Sequence, residues 1–248
     1  MSGHSKWATI KHAKGAADAK RGQLFTKIAK EIIIAAKNGG DPAMNPKLRM
    51  LIQKAKAANM PNDNIDRAIK KGTGEIDGGQ IIEMTMEGYG PGGAAILVDI
   101  LTDNRNRAVQ EVRATFTRHN GSLGENGSVA WQFEPKGIIV ISLKGKDADE
   151  ATMVAIDAGA DDVSESNDSL DITTEAQNLE NLKNILSQAG YELINVEFTK
   201  IAKNTVALDD DTSLSVLRLL SKLEDLDDVN SVTSNVSFTD DVLERLEG

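Results

Sequence analysis

Between residues 21 and 71 apolar side chains recur at intervals of three and four, the period of amphipathic helices. In RGQLFTKIAKEIIIAAK, Leu24, Phe25, Ile28, Ile32, Ala35 and Ala36 fall on one side at 100° per residue. Lys27, Lys30 and Lys37 fall opposite, which predicts a basic stripe facing solvent with Ile34 exposed within it. Asn38-Gly39-Gly40 ends this helix, and Asn45 before Pro46 opens a second whose buried face is Leu48, Leu51, Ile52, Ala55 and Ala58. After Met60-Pro61, Asn62 is placed to cap a third helix carrying Ile65, Ala68 and Ile69, closed by Gly72. Residues 1–20 have too few apolar groups to bury anything by themselves and read as an arm; residues 72–79, GTGEIDGG, read as a linker.

From residue 80 the period shortens to that of strands. Strands are expected at about 81–87 and 94–102, a helix over 105–118 and a strand at 128–134, with Pro135-Lys136-Gly137 breaking the chain. Then GIIVISL, DEATMVAIDAG, DDVSES, SLDITTE, AQNLENLKNILSQAG and YELINVEFT run β-α-β-β-α-β, the order of a ferredoxin-like unit. The remainder, strand-like NTVALD, a helix over 212–226 and strand-like VNSVTSNVSF, is half such a unit, and residues 94–134 supply the other half. The expected fold class is α+β: a basic three-helix domain (21–79) after the arm, a discontinuous ferredoxin-like domain (80–134 with 203–248), and a second inserted in it (135–202).

Charge divides the chain unevenly. The first 72 residues carry 15 Lys/Arg against five acids, a net +10, whereas the whole chain is −10. The other 176 residues hold 13 basic and 33 acidic side chains and stand at −20. One end suits a polyanion and the rest repels one. There is no cysteine, hence no disulfide or thiolate chemistry, and no apolar run approaches the roughly 20 residues of a membrane span or forms a signal core. A cytoplasmic protein is expected, with no membrane partner and no cofactor; the pattern leaves monomer and weak dimer open.

The arm residues Lys6, Trp7, Lys11, Lys14, Lys20 and Arg21 interleave cations with one aromatic ring, a composition suited to phosphates and to stacking on an unpaired base. The competing reading lays the arm on the acidic body with Trp7 as an anchor. Lys27, Lys30 and Lys37 form a helix face of one sign, interrupted only by Glu31, and extend the candidate surface. Secondary contacts are expected at Tyr89, on the tip of a glycine-rich loop, and at Arg107 and Arg118, which share the outer face of the 105–118 helix. Gly88-Tyr-Gly-Pro-Gly-Gly93 satisfies G-x-G-x-x-G, but the strand AAILVDIL follows where a dinucleotide site needs a helix, so a tight β-connection is expected. His4, His12 and His119 have no ligand spacing, and no G-x-S-x-G appears, so no catalytic or metal residues are nominated. Asp209-Asp-Asp211 reads as a helix N-terminus and Glu224-Asp-Leu-Asp-Asp228 as a solvated turn.

Gly3-His-Ser-Lys-Trp7, KGAADAKRGQLFTKIAKEI, GGDPAMNP, NMPNDNIDRAIKKGTG, Glu87-Gly-Tyr-Gly-Pro-Gly-Gly93, Asp103-Asn-Arg-Asn-Arg107 and Phe133-Glu-Pro-Lys-Gly137 resemble the YebC/PmpR family over essentially the whole chain. The resemblance implies a helical N-terminal domain followed by two α/β domains, and a DNA-binding transcriptional regulator. It also implies a rival: mitochondrial relatives activate translation of a cytochrome oxidase subunit, and bacterial members are linked to ribosomes stalled on proline runs. The expected partner is therefore nucleic acid, DNA or alternatively ribosomal RNA. The family brings no catalytic residues to carry over.

Overall fold

A computed structural model describes residues 18–166 and 168–247. They form an α+β architecture of helices with two four-stranded antiparallel sheets. Two compact units divide these residues, 18–130 with 209–232 and 131–208 with 233–247.

The first unit begins with three helices: α1 (Asp18–Ala36), α2 (Pro46–Ala57) and α3 (Asn62–Thr73). Helix α1 starts at Asp18, inside the stretch read as arm. Asn45 caps α2, accepting the Leu48 N–H at 3.0 Å, and its amide donates to the carbonyls of Ala35 and Gly39, so one side chain fixes both ends of the α1–α2 turn. Ile28, Ile32, Ala35, Ala36, Leu48, Ala55, Ile65 and Ala68 are buried in one cluster, as the periodicity predicts. Leu24 departs from it and stands 42% exposed. Ile34, expected in the solvent stripe, packs against the core. Gly72 does not close α3; a Cβ there would collide with the Ile33 carbonyl and the Ala36 side chain, so it lets α1 and α3 cross closely. Gly74 ends the helix, in the left-handed region at φ 82°.

Strands β1 (Ile82–Tyr89) and β2 (Ala95–Thr102) pair from Ile82↔Thr102 to Tyr89↔Ala95. The turn between them holds Gly92 and Gly93 at φ 69° and 78°, so the glycine-rich motif is a hairpin connection. Helix α4 (Arg105–Arg118), capped by Asn104, leads to the short β3 (Ser122–Leu123). Helix α7 (Asp210–Glu224) and strand β8 (Val229–Ser234) complete a sheet of order β3-β1-β2-β8. Leu101 and Ile81 belong to the cluster of the helices, so helices and sheet share a core within this unit.

The strand expected at 128–134 does not form. Residues 130–132 make a 3₁₀ turn, because the Glu87 carboxylate, 7% exposed, draws the N–H groups of Gly127, Val129 and Ala130 to within 2.6–2.7 Å and holds that loop off the ladder. The place beside β2 goes to β1, which reaches it through a short turn, whereas NTVALD contributes only one parallel bridge, Val206↔Val236.

In the second unit β4 (Phe133–Ser142), α5 (Ala148–Asp157), β5 (Asp162–Ser166), β6 (Ser169–Glu175), α6 (Leu179–Gln188) and β7 (Leu193–Ala202) form a ferredoxin-like sheet of order β5-β6-β4-β7. Pro135 does not break the chain as expected but lies inside β4, opposite Lys200. Lys203 donates to the Gln132 carbonyl at 2.8 Å. Alternation from that bond makes Pro135↔Lys200 a non-hydrogen-bonded pair, so the missing N–H falls on the β6 side, where the ladder has already ended at Lys136↔Glu175. Helix α8 (Asp240–Glu247) ends the described chain, with Val242 and Leu243 buried.

Candidate nucleic-acid interface

The polar side of α1 is hydrogen-bonded to the rest of the unit along much of its length. Lys27 Nζ donates to the Glu224 carbonyl at 2.6 Å, at the C-terminal end of α7. Lys30 Nζ donates to the Asp227 carbonyl at 3.0 Å and to Asp228 Oδ1 at 2.8 Å. Gln23 donates to Asp227 Oδ1 at 3.0 Å, and Asn230 to Glu31 Oε1 at 3.1 Å. Farther along the helix Lys37 Nζ donates to the Ile81 carbonyl at 2.7 Å. The stripe expected to meet phosphates thus ties α1 to the 224–228 turn and to the start of the sheet. A helix C-terminus attracts cations because its last carbonyls are unsatisfied and carry the negative end of the dipole. That corrects part of two expectations: Lys27 and Lys30 are drawn out of the solvent face, though Lys37 stays exposed, and Asp228 is buried at the end of the acidic run, though Asp225 and Asp227 stay exposed.

Asp228 is the centre of the arrangement. Its carboxylate is 2% exposed and receives Lys30 on one side and Arg107 on the other, with Arg107 Nε and Nη2 both within 2.9 Å of Oδ2. Arg107 Nη2 also meets Asp103 Oδ1 at 3.0 Å. Burial alone would raise the Asp228 pKa, but the hydrogen bonds from Lys30 and Arg107 outweigh it and hold the carboxyl below the ordinary aspartate range. The same bonds, Asp228 first and Asp103 second, raise Arg107. Arg107 is 46% exposed on the face it was expected to share with Arg118, and it makes a fork within the molecule as well. Arg118 stays exposed at the end of α4. Tyr89 is 37% exposed and donates its hydroxyl to the Ser128 carbonyl at 3.1 Å.

Lys6, Trp7, Lys11 and Lys14 lie outside the described residues; Lys20 lies in the first turn of α1 with its side chain outside them, and Arg21 is exposed one residue on. Cations that the periodicity did not single out are available instead. Lys47 and Lys56 on α2, and Arg67 and Lys70 on α3, are exposed, and Lys71 is partly so. Among the described residues none of these five side chains has a hydrogen-bond or ion-pair partner. Arg67, Lys71 and Asn64 border a shallow groove between α1 and α3 whose other walls are Phe25, Thr26, Ala29, Ile33, Met60 and Ala68. The missed signal lay in numbers: α2 and α3 carry seven Lys/Arg against two acids.

A family model described as the TACO1/YebC protein N-terminal domain matches residues 5–75, and one described as the TACO1/YebC second and third domain matches residues 81–236. The chain belongs to the TACO1/YebC family. A protein of Dehalococcoides mccartyi named as a probable transcriptional regulatory protein is 55% identical over 99% of this chain and 98% of its own length. One of the same name from Dictyoglomus thermophilum is 51% identical over 99% and 100%. A conserved hypothetical protein from Aquifex aeolicus, solved by crystallography, superposes with a TM-score of 0.83 at 43% identity, covering 90% of this chain and 93% of that one. Among the described residues no group of three or more His, Cys, Asp or Glu side chains is placed to hold a metal ion, and no helix is long and apolar enough to cross a membrane.

Proposed function

We propose that this chain is a regulatory protein that binds DNA through phosphate contacts made by the N-terminal arm and by the outer faces of α2 and α3, and that it acts in transcription. The observation that carries the reading is the set of five unpartnered cations Lys47, Lys56, Arg67, Lys70 and Lys71 on a chain whose net charge is −10. Cations held free of acids on an otherwise acidic molecule are the electrostatic footprint of a polyanion site, since each neutralised phosphate releases counterions. The arm residues Lys6, Trp7, Lys11, Lys14, Lys20 and Arg21 precede this surface in the chain and add charge to it. Lys27, Lys30 and Lys37 act one step removed, by fixing α1 to the body so that α2 and α3 are presented rigidly. The names of the relatives support a role in transcription, and membership of the family supports regulation rather than catalysis.

A second reading, binding of ribosomal RNA in translation, is favoured by one feature of α3. Asp63 and Asp66 are exposed on the same helix as Arg67, Lys70 and Lys71. Carboxylates along half its length disfavour laying α3 in a DNA major groove, whereas a few cations at its C-terminal end suit an irregular RNA backbone. Fluorescence anisotropy with duplex DNA and with structured ribosomal RNA fragments, each across a salt series, decides between the readings. Preferential, sequence-dependent DNA binding at physiological salt supports transcription. Binding to RNA alone, with co-sedimentation on ribosomes, replaces it with translation.

A further inference from the structure

Each sheet has two edges, and those of the second unit differ. Strand β5 is five residues long and carries Asp162 and Glu165, the charged and short edge by which sheets avoid pairing with other chains. Strand β7 is ten residues long, LINVEFTKIA, and from Leu193 to Thr199 it has neither Lys nor Pro. Ile194 is 55% exposed and Phe198 44% exposed on that edge. The bond from the Lys203 backbone N–H to the Gln132 carbonyl fixes the parity of the ladder to β4 as far as Asn195: Asn195, Glu197, Thr199 and Ile201 turn their amides toward β4, and Val196, Phe198 and Lys200 turn theirs outward, while Ile194 is skipped by the register at a bulge opposite Val140 and Ile141. Among the described residues no backbone hydrogen bond engages Ile194, Val196 or Phe198 beyond that ladder.

Ile194, Val196 and Phe198 on this edge are all apolar. Pairing β7 antiparallel with β7 of a second copy about a two-fold axis at Val196 sets Val196 on Val196 and Ile194 on Phe198, apolar against apolar. Neighbouring registers lose this match. An axis at Glu197 puts two carboxylates face to face, and an axis at Asn195 puts Glu192 against Phe198. We propose that β7 is a homodimerisation edge, on which two copies of this chain join their second-unit sheets into one continuous antiparallel sheet with the axis at Val196.

The surface is independent of the nucleic-acid reading, and its test needs no nucleic acid. Because the chain has no native cysteine, single cysteines report the register without background. In the full-length protein, Val196→Cys forms a disulfide-linked dimer on mild oxidation, since a paired strand sets these Cα atoms about 5.5 Å apart, within disulfide reach. Ile194→Cys alone does not link, whereas a mixture of Ile194→Cys and Phe198→Cys does. Phe198→Lys, with a circular dichroism spectrum and melting temperature like the parent's, raises the dimer dissociation constant by about tenfold or more in analytical ultracentrifugation. A parent protein that sediments as a monomer at the highest soluble concentration overturns the proposal. So does Val196→Cys that stays monomeric, or Ile194→Cys that links as readily as Val196→Cys.

Discussion

The lysines of α1 and the cations of α2 and α3 lie within the same stretch of chain, carry the same charge and sit at similar helical positions, yet the structure uses them oppositely. Lys27, Lys30 and Lys37 are hydrogen-bonded to carbonyls at the end of α7, to Asp228 and to Ile81. Among the described residues the side chains of Lys47, Lys56, Arg67, Lys70 and Lys71 have no such counterparts. Net charge therefore says that a polyanion partner is plausible for the segment, but availability depends on what the rest of the chain presents to each side chain. In this molecule the acidic turn at 224–228 consumes one basic face and leaves another.

The largest effect that would break this comparison is on stability. Asp228→Ala leaves Lys30 and Arg107 facing each other around a 2% exposed site and should lower unfolding free energy by about 3 kcal/mol, because removing one partner strands the others. Urea denaturation checks this, and an unchanged midpoint would return α1 to the solvent-facing role. Reversing the outer cations, Lys47, Lys56, Arg67, Lys70 and Lys71 to Glu, should instead leave the urea midpoint nearly unchanged. It should weaken nucleic-acid binding about a hundredfold and flatten the log–log salt slope by about four. Equal losses for the triple change of Lys27, Lys30 and Lys37 to Met, measured on folded protein, would erase the distinction.

Glu87→Gln keeps the size of the side chain but removes the charge that three backbone N–H groups share. About 2 kcal/mol should be lost, with faster hydrogen exchange at Gly127, Val129 and Ala130. The smallest effect is on pH dependence. The folded pKa of Asp228 is depressed, so its contribution is present above the unfolded value of about 3.9 and disappears as pH falls through the folded value. Between about pH 5 and 2 the parent should lose more stability than Asp228→Asn, and parallel curves would sink the assignment.

Much of the fold was legible because local rules carry it. The three helices follow the 3.6-residue period, Asn45 opens α2 where cap chemistry places it, although Asn62 falls inside α3 after Pro61 and there is no side-chain cap, and the second unit follows its β-α-β-β-α-β order. Where the reading departed from the structure, a distant group had intervened. Residues 128–132 had strand-like composition, yet Glu87, forty residues earlier, captured their N–H groups. Pro135 looked like a break and was absorbed by ladder parity, a property of pairing with β7. The 224–228 run looked solvated because the one lysine beside it, Lys222, meets only Asp225; the partners of Asp228 lie 121 and 198 residues away.

By itself, then, the sequence determined the helical and strand periods, the order of elements and the concentration of positive charge at one end. These are properties of residues within a turn or two of one another. Tertiary structure alone decided which of those charges remain available, because the energy of a lysine depends on the carbonyl or carboxylate set within about 3 Å of it, whatever their separation along the chain. The same holds for β7, whose residues announced a strand but whose exposed edge existed only once β4 had claimed the other side.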